Sequence, residues 1–467
     1  MTDRRRILSW AATSTRLVVG AAVAAAVVLA VALAVAAPWP TLVTRPGAVE
    51  ATPAAADTVA ACAGGLLALG RNPANASELA LAAPQAVVQV SDDEVSTSTL
   101  STSPAVVGDT GAAVFDAEPV DGRRADIAAS GSATVDAADL RGFAASACRA
   151  PLLESWLVGG ATTTGSSDVI LLANPGEVPA TVDLTVYGVG GPSTPPGADG
   201  IVVAPGTQKV VPLAAVGVGE EAPVVRVTAS GAPVSAVLQS SLTRTLLAGG
   251  VDQTGAIAAA SDRVVIPGIT VTDTAVAAAE AGATTRVRLL SAQADTTATV
   301  AVTAVGGARV STQEVPLVAG VPSEAGLSGL PAGAYVVTVT ADAPVVAAAW
   351  QTTGFGEGAD FAWYAATPEV SGDATFAVPE GPSPTLVITA GEDATDVELT
   401  PLGGGDTVRL TVGANSSTTV TVTPGEGYRL SAGAVVHAVV TYAGAGALAG
   451  VPVWPTDAAA SVVTVYP

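Results

Sequence analysis

The chain has 467 residues, 41 acidic against 19 basic, a formal net charge of −22 and an apolar share of 49%. So acidic a surface argues against nucleic acid and against adhesion to anionic lipid, both of which need a basic face. One histidine, one lysine and two cysteines leave little material for histidine-based metal or triad chemistry.

Residues 1–16 are a short basic tail with Arg4, Arg5, Arg6 and Arg16. Leu17 to Ala37 then form an unbroken apolar run that would span roughly 32 Å as a helix, enough for a bilayer core of roughly 30 Å. The arginines before it place the N-terminus in the cytoplasm and the bulk of the chain outside a cell membrane crossed once. A cleaved signal peptide ending at Ala34-Val35-Ala36 is the competing reading, and both readings export the remainder. Residues 38–56 carry Pro38, Pro40, Pro46 and Pro53 and read as an extended Pro/Ala linker.

Beyond the linker the chain repeats itself. Val182-Asp183-Leu184-Thr185, Val300-Ala301-Val302-Thr303 and Val397-Glu398-Leu399-Thr400 are each followed by a glycine, at 188, 306 and 403. Their alternation is that of a half-buried strand ending in a turn. A pair of later strands also recurs: Val224–Thr228 with Pro233–Ser241, Tyr335–Thr340 with Pro344–Thr353, and Tyr428–Ser431 with Ala434–Tyr442. The short links between them are hairpin-sized. Opening strands recur at Ser155–Gly160, Arg263–Gly268 and Thr375–Pro379, with Val59–Gly64 a weaker fourth copy.

These copies divide the exported part into 58–150, 151–261, 262–370 and 371–467. Short strands, few aromatics and frequent Gly/Pro turns give an all-β class. The expected architecture is tandem immunoglobulin-like or fibronectin type III-like β-sandwiches behind one transmembrane helix. Tyr335 and Tyr428, each opening a late strand, resemble tyrosine corners. In the first segment Val87–Val90 reads as a strand, 91–110 as a long Ser/Thr-rich loop, and 136–147 as a short helical turn. Cys62 and Cys148, an even count in an exported part, read as one disulfide, worth roughly 4–5 kcal/mol in the chain-entropy model.

The basic tail and the Ala/Val helix are followed by Cys148-Arg149-Ala150-Pro151, Trp156-Leu157-Val158-Gly159-Gly160 and Leu172-Ala173-Asn174-Pro175-Gly176. That order of features resembles an uncharacterised actinobacterial family of single-pass exported envelope proteins. The resemblance implies an envelope location, alongside envelope glycan synthesis, and supplies no catalytic residue.

No residue pattern points to catalysis. His437 sits in the apolar run Ala432–Tyr442 and no G-x-S-x-G elbow accompanies it. Asp92-Asp93-Glu94, Glu220-Glu221 and Glu392-Asp393 are the carboxylate pairs a glycosidase would use, but they fall in loops where acids are simply solvated. No cofactor or metal motif is present, and Gly-rich stretches lack the Lys-Ser/Thr of a phosphate loop. The one departure from the Ala/Val background is 354–364, where Phe355, Phe361, Trp363 and Tyr364 gather around Glu357 and Asp360. Read as a loop, it is the expected contact surface for an envelope protein or glycan. The sequence therefore describes a non-enzymatic, membrane-anchored scaffold or accessory protein. A cell-wall carbohydrate-binding protein is the alternative, and an envelope hydrolase a distant third.

Overall fold

The structure is a computed structural model and describes residues 3–36, 49–51, 55–75, 77–103, 106–444, 446–455 and 463–465. The chain forms two compact units, Met1–Pro53 with Ser461–Pro467, and Ala54–Ala460.

In the first unit one helix runs from Asp3 to Ala36. The expected tail, 1–16, is therefore helical from Asp3 and continuous with the apolar run. Val18–Val35 has a mean hydropathy of 2.8, is exposed throughout, and is long and apolar enough to span a membrane. Most of the 38–56 linker lies outside the described residues. Its described part includes Val49–Ala51, which pairs antiparallel with Val463–Val465, so a stalk without any sheet is not what forms there.

The larger unit is all-β apart from short helical turns. Three stretches share one strand plan. In the third, Ser261–Val271 and Thr296–Ala304 flank the first half of the long strand Gly333–Thr352. Thr285–Ser291 and Phe361–Ala365 flank its second half. In the fourth, Val370–Ala377 and Thr395–Pro401 flank the first half of Gly427–Gly444, and Thr385–Ala390 and Ala447–Pro452 its second half. In the second stretch the same path is cut in two: Val224–Ser230 lies in one sheet and Ser235–Arg244 in the other. The paired late strands are thus not hairpins. In the third and fourth stretches one long strand pairs with both sets of partners and joins them into a single seven-stranded sheet, which an ABED/CFG partition lacks.

The burial pattern explains the double pairing. From Tyr335 to Thr340 buried residues dominate one face and Thr338 and Thr340 look outward, whereas Val345–Thr352 is buried on both faces. A strand covered on both sides reads as a continuous apolar run, here Val345–Trp350. The tyrosine corners form as expected: the Tyr335 hydroxyl donates to Pro331 O at 2.8 Å, and the Tyr428 hydroxyl accepts from Thr423 N at 3.0 Å.

The first segment departs most from its sequence reading. Val87–Val90 falls within the strand Ala86–Ser91. The supposed loop contains the strand Ser96–Ser103, paired with Ala112–Ala117. The supposed helical turn is instead the strand Arg141–Cys148, paired with Ile127–Asp136. Ala is a weak strand former and the Ser/Thr run lacks an apolar alternation, but cross-strand neighbours supply what the local sequence does not. Ser101–Ser103 also runs parallel to Thr207–Lys209, so the strands of 58–150 extend a sheet of 151–261 across the boundary at 150. Buried glutamines reinforce that seam. Gln239 exchanges two hydrogen bonds with the Leu67 backbone, at 2.9 and 2.7 Å, and Gln208 donates to Ala63 O at 2.9 Å. Cys62 and Cys148 are disulfide-bonded and buried.

The last strands of the four segments, Arg141–Cys148, Leu247–Gly255, Phe361–Ala365 and Ala447–Pro452, pack in a closed cycle, each against the next. Glycine permits the approach. A Cβ on Gly250, whose φ is +127°, would come within 2.6 Å of the Phe361 ring, and one on Gly450 within 2.7 Å of the Tyr364 ring. The segments therefore form one body around a shared centre.

Candidate binding groove and the Asp360 junction

The stretch 354–364 divides at Asp360. Residues 354–360 are a loop, and Phe361–Ala365 is a strand paired with Ala348–Thr352. Strand alternation sends its aromatics to opposite sides. Phe361, Trp363 and Tyr364 are all buried, and only Phe355 is half-exposed. The reading of all four as an exposed contact loop is thus corrected. The flanking glycines at 354, 356 and 358 confine the loop to its first half, and the aromatic half enters the core.

Asp360 is wholly buried at the centre of the cycle. Its Oδ2 accepts from Phe143 N and Leu448 N, both at 3.1 Å, and its Oδ1 from Val251 N at 3.2 Å. One carboxyl thereby ties the last strands of the other three segments. Burial pushes its pKa well above the usual carboxylate range, and the four amides that donate to it only partly offset this. Close by, Asp252 accepts from Trp363 N at 2.8 Å, and burial raises its carboxyl to about 6.

On its other side the third segment faces the second across a groove of about 360 Å³. Arg286, Trp350 and Trp363 are direct cross-strand neighbours on three adjacent strands. Arg288 lies opposite Ala348, itself opposite Ala365, and these small residues leave room for its side chain. Four rings and three guanidiniums interleave. Arg244 lies 4.0 Å over Phe355, Arg286 4.5 Å over Trp350, and Arg288 4.6 Å over Trp363. Phe355 stacks on Trp350 at 6.4 Å, and Phe361 tilts against Trp350 at 6.3 Å. Cation–π contacts of this kind contribute about 0.5–2 kcal/mol each, more when desolvated.

The cations differ in their partners. Arg288 is buried and saturated, donating to Gly160 O, Pro223 O, Glu221 O and Glu324 Oε1 at 2.8–3.3 Å. Arg286 reaches Glu324 at 3.8 Å. Arg244 is exposed and makes no ion pair among the described residues. Asp168 accepts from Ala161 N at 2.7 Å and Ser241 N at 2.9 Å, and burial lifts its carboxyl to about 6 despite those amides and Arg288. Ser240 lines the groove with a buried hydroxyl that has no partner among the described residues. Arg244 is held at the tip of a hairpin whose Thr245 and Leu246 have φ of +50° and +70°, and Leu246 is 93% exposed. A β-branched residue at positive φ is costly and marks a site where the turn shape is imposed by its surroundings.

A groove that alternates planar aromatics, guanidiniums and carboxylates can hydrogen-bond hydroxyls and anionic groups on one ligand. Among the described residues no three His, Cys, Asp or Glu side chains cluster so as to hold a metal. His437 is buried beside Thr367, its Nδ1 3.1 Å from Thr367 O, and burial lowers its pKa. Asp92 pairs with Arg429 at 2.5 Å, and Glu220 accepts from Val189 N at 3.0 Å. Both acids serve local structure.

Residues 101–425 match the model of a family of unknown function, DUF5719. The chain belongs to that family. The matched span holds every residue of the groove as well as Arg149 and Asp360, and excludes the N-terminal helix and the strands Ala447–Pro452 and Val463–Val465. No curated protein and no solved structure matches the chain.

Sequence reasoning reached Phe355, Phe361 and Trp363 of the groove but not Trp350 or the charges, and Tyr364 does not line it. Arg286 and Arg288, two arginines at alternate positions of one strand in a chain poor in cations, were the available signal. Asp360 carried none that set it apart from the other acids.

Proposed function

We propose that this family member is a non-enzymatic, membrane-anchored scaffold or accessory protein of the bacterial cell envelope. Its helix holds it in the cell membrane with the N-terminus in the cytoplasm, and its β-body presents the Arg244–Trp350 groove outside. The observation that carries this reading is the Asp360 junction, which locks the segments into one rigid head. Such a head fixes a contact site at a set position relative to its own frame and needs no reactive group. The four arginines ahead of the apolar run support the orientation.

The test is complementation of a deletion strain with Arg244→Glu combined with Phe355→Ala. The expected outcome is the deletion phenotype at normal protein abundance. Full rescue by this variant would contradict the groove as the working surface.

A second reading, binding of cell-wall carbohydrate in the same groove, is favoured by its mix of stacked rings and charged hydrogen-bonding groups. Retention of the full chain on isolated cell-wall polysaccharide, lost in the same variant, would select it over a protein partner.

A further inference from the structure

A second pocket, of about 340 Å³, lies where the first and fourth segments meet. Small-molecule sites begin at about this size. Its walls are largely apolar, with Ala129, Ala147, Phe376, Val451 and Val453 among them, and its charged members are Arg124, Asp126 and Arg149.

Arg149 follows the disulfide directly. Its backbone exchanges two 2.9 Å hydrogen bonds with Ala61, the neighbour of Cys62, so its Cα is fixed from both sides. The side chain lies flat on Trp454, 3.2 Å from the ring centre, and one N–H donates to Ala256 O. No carboxylate pairs with this half-buried cation among the described residues. Burial alone pulls its pKa down to about 9, so it stays charged at neutral pH. A guanidinium carries five N–H donors, and a charge taken out of water is ordinarily matched by an acid. Trp454 lines the same pocket and its buried indole N–H has no acceptor among the described residues. Arg124 lines it too and makes no ion pair among the described residues. The one acid present, Asp126, accepts from the Thr375 hydroxyl.

We propose that this pocket binds a small organic oxyanion, a carboxylate or phosphate monoester on an apolar body, with Arg149 and Arg124 holding the oxygens. The donors in excess of acceptors select the anion, and the Ala/Val/Phe walls select the body. The site is separate from the Arg244–Trp350 groove and does not depend on the role given to it.

The experiment is isothermal titration of the full chain in lipid nanodiscs with benzoate, phenyl phosphate, inorganic phosphate and benzyl alcohol. Saturable binding of benzoate or phenyl phosphate is expected, and the tighter of the two names the source of the anion. Benzyl alcohol and inorganic phosphate should each bind at least about tenfold more weakly, since each lacks one half of the recognised chemistry. Arg149→Gln should remove binding. Arg124→Gln should weaken it about tenfold with an unchanged thermal midpoint. Arg244→Ala should leave it as in the wild type. The proposal is overturned if neither anion binds, or if benzyl alcohol or inorganic phosphate binds as tightly as the aryl anions. It is equally overturned if Arg124→Gln binds as the wild type, or if Arg244→Ala is the variant that abolishes binding.

Discussion

The junction at Asp360 and the groove at Trp350 share the stretch 354–364, yet they are made of opposite materials. At the junction a single carboxyl and several glycines draw backbones together, and every polar group faces inward. In the groove large rings and guanidiniums stand side by side; Arg288 is saturated, while Arg244 at the edge makes no ion pair among the described residues. The difference separates two uses of polarity. A buried acid saturated by backbone amides specifies an arrangement of strands. An exposed cation resting on a ring, with no ion pair among the described residues, is available for recognition. Stability should therefore be sensitive at the first and indifferent at the edge of the second.

The largest effect should come from the junction itself. Asp360→Ala leaves three strand amides without their acceptor, each a buried orphan, for a loss on the order of 5 kcal/mol. Urea unfolding of the full chain measures it, and a loss below about 1 kcal/mol would break the contrast. Next is Trp363→Ala, expected to cost about 3–4 kcal/mol because the ring is 6% exposed and packed in the third segment's core. A neutral result there, with ligand retention lost, would return Trp363 to the recognition side.

The disulfide sits between these extremes. Cys62→Ser with Cys148→Ser should cost about 2–4 kcal/mol, read as a fall in the urea midpoint. An unchanged midpoint would mean that the glutamine seam alone holds the first segment.

The pH response sharpens the comparison through Asp168 and Asp252. Burial raises both folded-state pKa values from 3.8 to about 6. For an acid whose pKa is higher folded than unfolded, the folded state binds more protons. The stabilisation is then full below 3.8 and is lost as pH rises through about 6. Stability should fall across that window, by about 3 kcal/mol per group. Asp168→Asn with Asp252→Asn should flatten the slope. The smallest effect is expected for Arg244→Ala, within about 0.5 kcal/mol of the wild type, because the side chain is exposed and makes no ion pair among the described residues. A larger loss would make the ring-and-guanidinium ladder a structural lock.

Much of this organisation was legible in the residues. The Val-x-Leu/Val-Thr copies and their glycines marked true strands, and the Tyr335 and Tyr428 corners formed where the sequence placed them. The long strands were not legible, because links such as Ala341-Asp342-Ala343 have the length and small residues of a turn. Nothing local says that the chain continues to a second set of partners. Ser96–Ser103 and Arg141–Cys148 were misread because their strand character comes from partners distant in sequence. In the aromatic stretch the period of two over Phe361–Tyr364 was present, but the glycines before it suggested a loop. Asp360 was invisible in principle. Its role depends on three strands that meet only in the folded molecule.

The central claim is that residues 54–460 are one body, held at the junction, and not a string of independent sandwiches. Differential scanning calorimetry of the full chain tests it most directly, through the ratio of calorimetric to van't Hoff enthalpy for the β-body. The account predicts a single transition with a ratio near one in the wild type, and separate transitions in Asp360→Ala. Several resolved transitions in the wild type, each of the enthalpy of a domain of about 100 residues, would contradict it.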